Sequence, residues 1–485
     1  MKQKYSIKTT TFFTVILFCF LCGLGFARIA PAINGSWVWF LATTTLVGYS
    51  LSRFNKLVLL FLLSIAVFSS GWWRGAQTLN KLEIYNDING QTVTVKAKAL
   101  NDAVYADRGQ LDFAVGKIEL YEPLSVDLIG EIGVKGLGLP IVYRGDEVLV
   151  TGKIYKKRGG QVAGISFAKM KLVGRSDSPI DTVRRNFAAG MQNVLPEPLA
   201  SFGMGLLIGQ RTTLDSKLEE TLIAVGLIHI VAVSGYNLTI IIDALRRIFR
   251  KGSRYQILVF SLLLICIFLL FTGYSPSIVR AAVVSSLSLV AWFFGRKFRP
   301  ILLLSFVAAL TAGINPLYLW SNIGWYLSFT AFFGILIIAP LLQKRLLTKK
   351  SREKVVPLVL IETISAQLCT IPIILFVFGR LSVVSVLANV LVVPFVPLGM
   401  FFSLIAGISG MMHLGFSKLF ALPAQIILDY MLSIASLLSR VPYANILVKI
   451  NAVQMIIGYV IILALALALY VNTAKKYDII TDIEE

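Results

Sequence analysis

The residues able to do chemistry sit where chemistry is expensive, inside long apolar runs. The block Gly226-Leu-Ile-His-Ile-Val-Ala-Val-Ser-Gly-Tyr-Asn-Leu-Thr239 sets His229, Ser234, Tyr236, Asn237 and Thr239 within one otherwise apolar span. Helical spacing puts His229 and Tyr236 on one face, with Asn237 beside them and Ser234 one turn from Asn237. Gly235 permits a kink or a close helix approach. Polar tips at this depth make either a hydrogen-bonded seam between helices or the lining of a polar pathway. A second block, Thr272-Gly-Tyr-Ser-Pro-Ser-Ile-Val-Arg-Ala281, opens a helix at Pro276 and Ser277 and places Arg280 in its first turns. A guanidinium there can snorkel, pair with Glu362 or Asp429, or grip a passing phosphate through its planar fork. A third group, Gln367, Pro372, Ser382, Ser385, Asn389 and Pro394, spreads over two neighbouring spans. Broken helices carrying amides and prolines line cavities in transporters.

Other chemistries lack their residues. Only two histidines occur, His229 and His413, and no H-x-H-x-D or C-x-x-C…C-x-x-C cluster exists, so no metal site or zinc hydrolase is expected. Cys19 and Cys22 have redox spacing but lie in an apolar run, where they read as small packing residues. No G-x-x-x-x-G-K-[ST] phosphate loop is present. Neither a catalytic residue nor a cofactor is expected.

The elements that must hold these residues are membrane helices. Apolar residues make up 56% of 485 positions, and runs such as 256–273, 385–408 and 453–472 reach bilayer-crossing length. In hydrocarbon such runs must be helical. The expected architecture is a polytopic α-helical membrane protein of about 12 spanning helices. Residues 1–73 form a three-helix opening segment with spans near 11–27, 37–50 and 56–72. Residues 198–474 hold spans near 221–243, 256–273, 276–295, 300–314, 317–341, 355–378, 385–408, 416–437 and 453–472, with 198–210 re-entrant, before a tail over 475–485. Between them, 74–178 is polar with period-two patches at 92–98, 110–115 and 146–154, separated by turns at 107–109, 144–146 and 158–160. This predicts a small inserted β-barrel of OB type. Ser178-Pro-Ile-Asp181 starts a helix over 179–197 whose Ile180, Val183, Phe187, Met191 and Val194 predict an amphipathic helix on the membrane surface.

The net charge of +21 gathers at 246–254, 296–299 and 344–354. Loops of that kind stay cytoplasmic, which puts both termini inside and the β domain outside.

The blocks Leu206-Leu-Ile-Gly-Gln-Arg211, Gly226–Gly235, Thr272–Ala281, Asn315-Pro316, Trp325-Tyr-Leu-Ser-Phe329 and Leu387–Pro394, taken in order, resemble the competence region of ComEC proteins. The preceding β region resembles that family's extracytoplasmic OB-like domain. The resemblance implies an inner-membrane channel that passes one DNA strand inward during natural transformation. It puts His229, Ser234, Gly235, Pro276 and Arg280 at motif positions, and Tyr236, Asn237, Ser277, Gln367 and Asn389 join them as candidate path residues. Lys153, Tyr155, Lys156, Lys157, Arg158 and Arg211 are the outer contact candidates. Two positions depart from the family pattern: Asn237 stands where histidine is frequent, and Gln210 interrupts the Gly-Asp-Arg block. The metallo-β-lactamase-like domain of many members does not follow the last helix, so a separate nuclease is expected, with a DNA receptor and a cytoplasmic motor or single-strand-binding protein. The competing readings are an ion-coupled or lipid-handling transporter, using Arg280, Glu362 and Asp429, and a non-conducting scaffold.

Overall fold

The computed structural model describes residues 9–31, 41–42, 56–106, 110–123, 125–137, 142–157, 160–210, 214–231, 235–296, 299–348, 354–412 and 416–481. In chain order the helices are α1 (Thr9–Phe26), α2 (Lys56–Leu82) and α3 (Ile84–Asp87). Seven strands follow: β1 (Thr92–Ala99), β2 (Val104–Ala106), β3 (Gln110–Glu122), β4 (Val126–Leu128), β5 (Ile132–Leu137), β6 (Glu147–Lys156) and β7 (Ala163–Gly174). Next come α4 (Pro179–Val194), α5 (Leu199–Ile208), α6 (Ser216–Ala224), α7 (Ile228–Val231), α8 (Gly235–Ile248), α9 (Arg254–Thr272), α10 (Pro276–Phe293), α11 (Pro300–Ile314), α12 (Leu317–Ser321) and α13 (Ile323–Phe333). A π-turn (Gly334–Ile338) joins α13 to α14 (Ala339–Leu346). Then follow α15 (Val355–Val377), a short β8 (Arg380–Ser382), α16 (Ser385–Val392), α17 (Val396–Met411), α18 (Ser417–Ser439), β9 (Asn445–Leu447) and α19 (Ala452–Thr481).

Eight described helical segments are long and apolar enough to cross a membrane: Thr9–Phe26, Val58–Asp87, Arg254–Thr272, Ile323–Leu346, Val356–Val377, Ser385–Met411, Ser417–Ser439 and Ala452–Val471. The chain is thus read as a multi-pass membrane protein with a sheet domain near its N-terminus. Eight is fewer than the dozen expected from the apolar runs, for local reasons. The run 221–243 does not hold one unbroken helix, because Gly226, at φ +76°, separates α6 from α7. α11 stops at Asn315-Pro316, where a proline ring cannot continue the helix. The expected span 37–50 lies outside the described residues, except 41–42.

The chain divides into two compact units, each assembled from separated pieces: 1–178 with 283–326, and 179–282 with 327–485.

In the first unit α1 and α2 cross at glycines, since a Cβ on Gly23 or Gly71 would strike the backbone carbonyl of Phe68 or Phe20. Trp320 Nε1 donates to Leu24 O (3.0 Å). Arg74 donates to Gly313 O (3.1 Å) and Ile314 O (3.0 Å), a basic cap on the last carbonyls of α11. The sheet runs β1-β6-β7-β5-β3-β2, and β1 also pairs with β3. All main pairings are antiparallel except β5 with β7. The alternation forecast from sequence sends Val93, Val95, Ala97, Phe113, Val115, Val148, Val150 and Ile154 into one core. Asp146, fully buried, fastens the exit of this domain to its interior. Its carboxylate accepts from Tyr143 N (3.0 Å), Ser176 N (3.1 Å) and Arg175 Nη1 (3.0 Å).

In the second unit α4 packs on α17 through a glycine crossing. A Cβ on Gly190 would lie 2.7 Å from Gly407 O, and one on Gly410 would run into Gly190's carbonyl. Phe187, Met191 and Val194, read from sequence as a membrane-facing stripe, are buried in this protein interior. All ten residues of α5 are buried too, and its roughly 15 Å is half a bilayer.

Candidate functional site

The first cluster of the second unit surrounds Arg280, whose place at the start of α10 follows from Pro276 opening the helix. Its side chain is 1% exposed. Phe329 and Phe332, one turn apart on α13, stack over the guanidinium at 5.3 and 5.1 Å from ring centroid to Cζ. One hydrogen bond runs from Nη2 to Ser277 O (3.3 Å), while Nε and Nη1 are buried without a partner. No described carboxylate pairs with it; the expected partners Glu362 and Asp429 are both exposed. Two desolvated cation–π contacts are worth about 2 kcal/mol each, whereas a buried ion costs several. The remaining hydrogen-bonding capacity suits an anion. Gly235, at the head of α8, packs on this cluster, since a Cβ there would lie 3.2 Å from Ala281 Cβ and 3.5 Å from the Phe332 ring.

The second cluster joins two blocks far apart in sequence. The turn at Gly226 seats against α16, where a Cβ would be 2.5 Å from Ser385 Cβ. His229 Nδ1 bonds to Gly226 O (2.9 Å). Gln367 Nε2 donates to Ser385 Oγ (2.5 Å), and Ser385 Oγ donates to Ser382 O (3.0 Å). Asn389 lies one turn further along α16. Gln367 Oε1, Ser382 Oγ and Asn389 Oδ1 are buried with no hydrogen-bond partner. The two amide oxygens are open acceptors and the Ser382 hydroxyl can donate or accept, so each suits water or a polar ligand group.

Other candidates separate. His229 lies on α7 and Tyr236 on α8, with 232–234 between them outside the described residues. Tyr236 is 43% exposed, while Asn237 is buried and donates to Leu206 O (2.8 Å), tying α8 to α5. Asn237 therefore has a packing partner, the seam reading of that block. Asp429 lines a cavity of about 380 Å³ with Glu197, Gln425, Ser433 and Ser436. In the sheet domain Lys153 Nζ sits 5.7 Å over the Tyr155 ring, Lys156 bonds to Asn86, and Lys157 Nζ to Gln161 Oε1 (2.7 Å). Ser234, Arg158 and Arg211 lie outside the described residues, as does the side chain of Pro276. Among the described residues no three His, Cys, Asp or Glu side chains gather as a metal site. The residues sequence reasoning missed are Phe329 and Phe332. Aromatics inside an apolar run carry no signal of their own, although Phe329 closes one of the recurring blocks.

With this geometry in view, the comparisons define the class. A family model described as "Competence protein" matches residues 206–473, and the chain belongs to that family, the ComEC competence proteins. It is 28% identical over 220 residues to ComE operon protein 3 of Bacillus subtilis (strain 168), covering 44% of this chain and 27% of that protein. A stretch of 98 residues is 30% identical to lysine–tRNA ligase of Clostridium acetobutylicum, covering 20% of this chain and 18% of that one. The matches thus span about a quarter or less of those relatives' lengths. No solved structure matches. Both clusters lie within the family match; the sheet domain lies before it.

Proposed function

We propose that this protein is a conduit for single-stranded DNA across the cytoplasmic membrane during competence, and not a catalyst. The observation that carries the reading is Arg280, a buried guanidinium with two unpartnered nitrogens at a family motif position. A strand brings one phosphate per nucleotide, and a single fork held between neutral rings binds each one weakly enough to release it. The open oxygens of Gln367, Ser382 and Asn389 add acceptors for base N–H groups or for the water that a wet path requires. Both termini are cytoplasmic and the sheet domain is outside, as the basic loops favour. The pairing of β1 with both β6 and β3, and the parallel β5–β7 pair, support an OB-type barrel there. Partners are the DNA strand, a separate nuclease, an outer receptor and a cytoplasmic motor or single-strand-binding protein.

The test is uptake of labelled DNA by transformable cells lacking their own channel and carrying this protein at matched membrane levels. Arg280→Ala should lower uptake about 10- to 100-fold, the effect of losing one charge-assisted contact of about 1.5–3 kcal/mol. Arg280→Lys should restore only part, since an ammonium lacks the fork. Uptake indifferent to both substitutions would remove Arg280 from the path.

A further inference from the structure

Strand β7 carries an aromatic side chain where a regular strand would bury one. Along Ala163-Gly-Ile-Ser-Phe-Ala168 alternation turns Ala163 and Ile165 inward, so Phe167 should also point in. It is instead 85% exposed, at φ +54°, and Ala168 takes the inward place. The register explains the reversal. β6 advances from Thr151 to Lys153 while β7 moves from Lys169 to Ser166, and on the other side β5 advances from Val134 to Gly136 while β7 moves from Ile165 to Ala168. Both neighbours thus see one extra residue in β7, a bulge.

The neighbours are cut to fit it. A Cβ on Gly152 of β6 would lie 2.7 Å from Ile165 Cγ2 and 3.1 Å from Ala168 Cα, and one on Gly136 of β5 would strike Ala168's carbonyl. Holding a phenylalanine in the left-handed region costs free energy, and folds keep such residues where they display something.

What surrounds Phe167 is basic. Thr151 pairs with Lys169, Lys153 with Ser166 and Leu149 with Lys171, and all three lysines are exposed. Tyr155, 43% exposed, extends the aromatic surface under Lys153. Residues 74–178 hold 15 Lys and Arg against 12 Asp and Glu, a mild excess. The fold sorts it: Asp146 is committed to Arg175 and Asp112 to Lys135, leaving the β6–β7 face with lysines that have no acidic partner among the described residues.

We propose that Phe167, with Tyr155, Lys153, Lys169 and Lys171, forms an outer binding face for single-stranded DNA, Phe167 serving as the platform on which a base stacks. The ligand's identity rests on the proposed conduit reading; the chemistry, exposed rings framed by cations, recognises an unpaired polyanionic strand with accessible bases. Duplex keeps its bases stacked and offers the ring nothing.

The experiment uses the full chain in nanodiscs, with anisotropy of a fluorescein-labelled 20-nucleotide oligo-dT between 50 and 200 mM salt as readout. Phe167→Ala should weaken binding about tenfold, within the range for one lost base–aromatic stack, and leave the salt slope unchanged. Phe167→Gly, which relieves the backbone and keeps the bulge, should weaken it equally, and Phe167→Tyr should retain it. Lys153→Gln and Lys169→Gln should each reduce the salt slope by about 0.7. An abasic 20-mer should bind wild type and Phe167→Ala alike. Equal affinity of wild type, Phe167→Ala and Phe167→Gly for oligo-dT would overturn the proposal. So would quenching by brominated lipid of a fluorophore on Phe167→Cys, which would seat that position in the bilayer. Phe167-dependent binding with no uptake in cells would sink the conduit and spare this face; Arg280-dependent uptake with Phe167-independent binding would do the reverse.

Discussion

Single residues carry both the function proposed and the clearest limits of the sequence. Arg280 was legible because a charge inside an apolar run is costly wherever it points. The rings over it were not, because Phe329 and Phe332 look like any other lipid-span aromatics until a fold sets them one turn apart. Phe167 misleads in the opposite way, since alternation assigns it to the core and only the bulge turns it out. Glu131, beside β5, makes a prediction at this scale. It is half-buried, and burial pushes its carboxyl above the ordinary carboxylate value. The folded state therefore holds that proton more tightly than the unfolded chain, so its contribution to stability is largest below the ordinary value and is lost as pH rises through the raised one. Glu147, held low by Lys98 and Lys96, contributes in the opposite sense. Thermal unfolding of wild type against Glu131→Gln separates the two. The variant should gain stability over wild type at neutral pH, and the gain should shrink as pH falls toward 4.5; a gain constant with pH would exclude the carboxyl as its source.

At the scale of elements, most membrane helices follow from their apolar runs, and the inward strand faces follow from period-two alternation. What sequence could not supply was the partner of each face. The stripe of α4 fits a membrane surface as well as a helix groove; only Gly190 meeting Gly407 and Gly410 decides for the groove. The run at 221–243 reads as one span by composition, yet a single positive-φ glycine divides it. The crossing yields a prediction. A leucine at position 410 must enter space occupied by Gly190's backbone, and no rotamer can relieve that. Gly410→Leu should sharply lower the amount of monodisperse protein recovered from membranes in mild detergent, whereas Leu404→Ala, on an exposed face of the same helix, should not. Equal recovery of the two variants would mean that the crossing is dispensable.

Across the whole molecule, composition alone marks the membrane class, and the ordered blocks mark the family. The grouping of segments into units was hidden, because contacts between residues hundreds apart leave no periodic trace in one sequence. The groups that cap α1 and α11 illustrate this: Trp320 answers Leu24, and Arg74 answers Gly313 and Ile314. A chain ending after residue 282 should leave the end of α2 around Arg74, which loses its partners Gly313 and Ile314, open to protease, while one ending after 326 should protect it. Protection already present in the shorter chain would refute that dependence. The discontinuous build also sets a timetable on the ribosome. The strands can close on themselves early, but the first two helices must wait through roughly a hundred residues belonging to the other unit before their missing companions arrive. Vectorial synthesis thus gives way to a holding stage, in which the membrane, or a chaperone within it, has to keep an unfinished half-protein from finding the wrong neighbours.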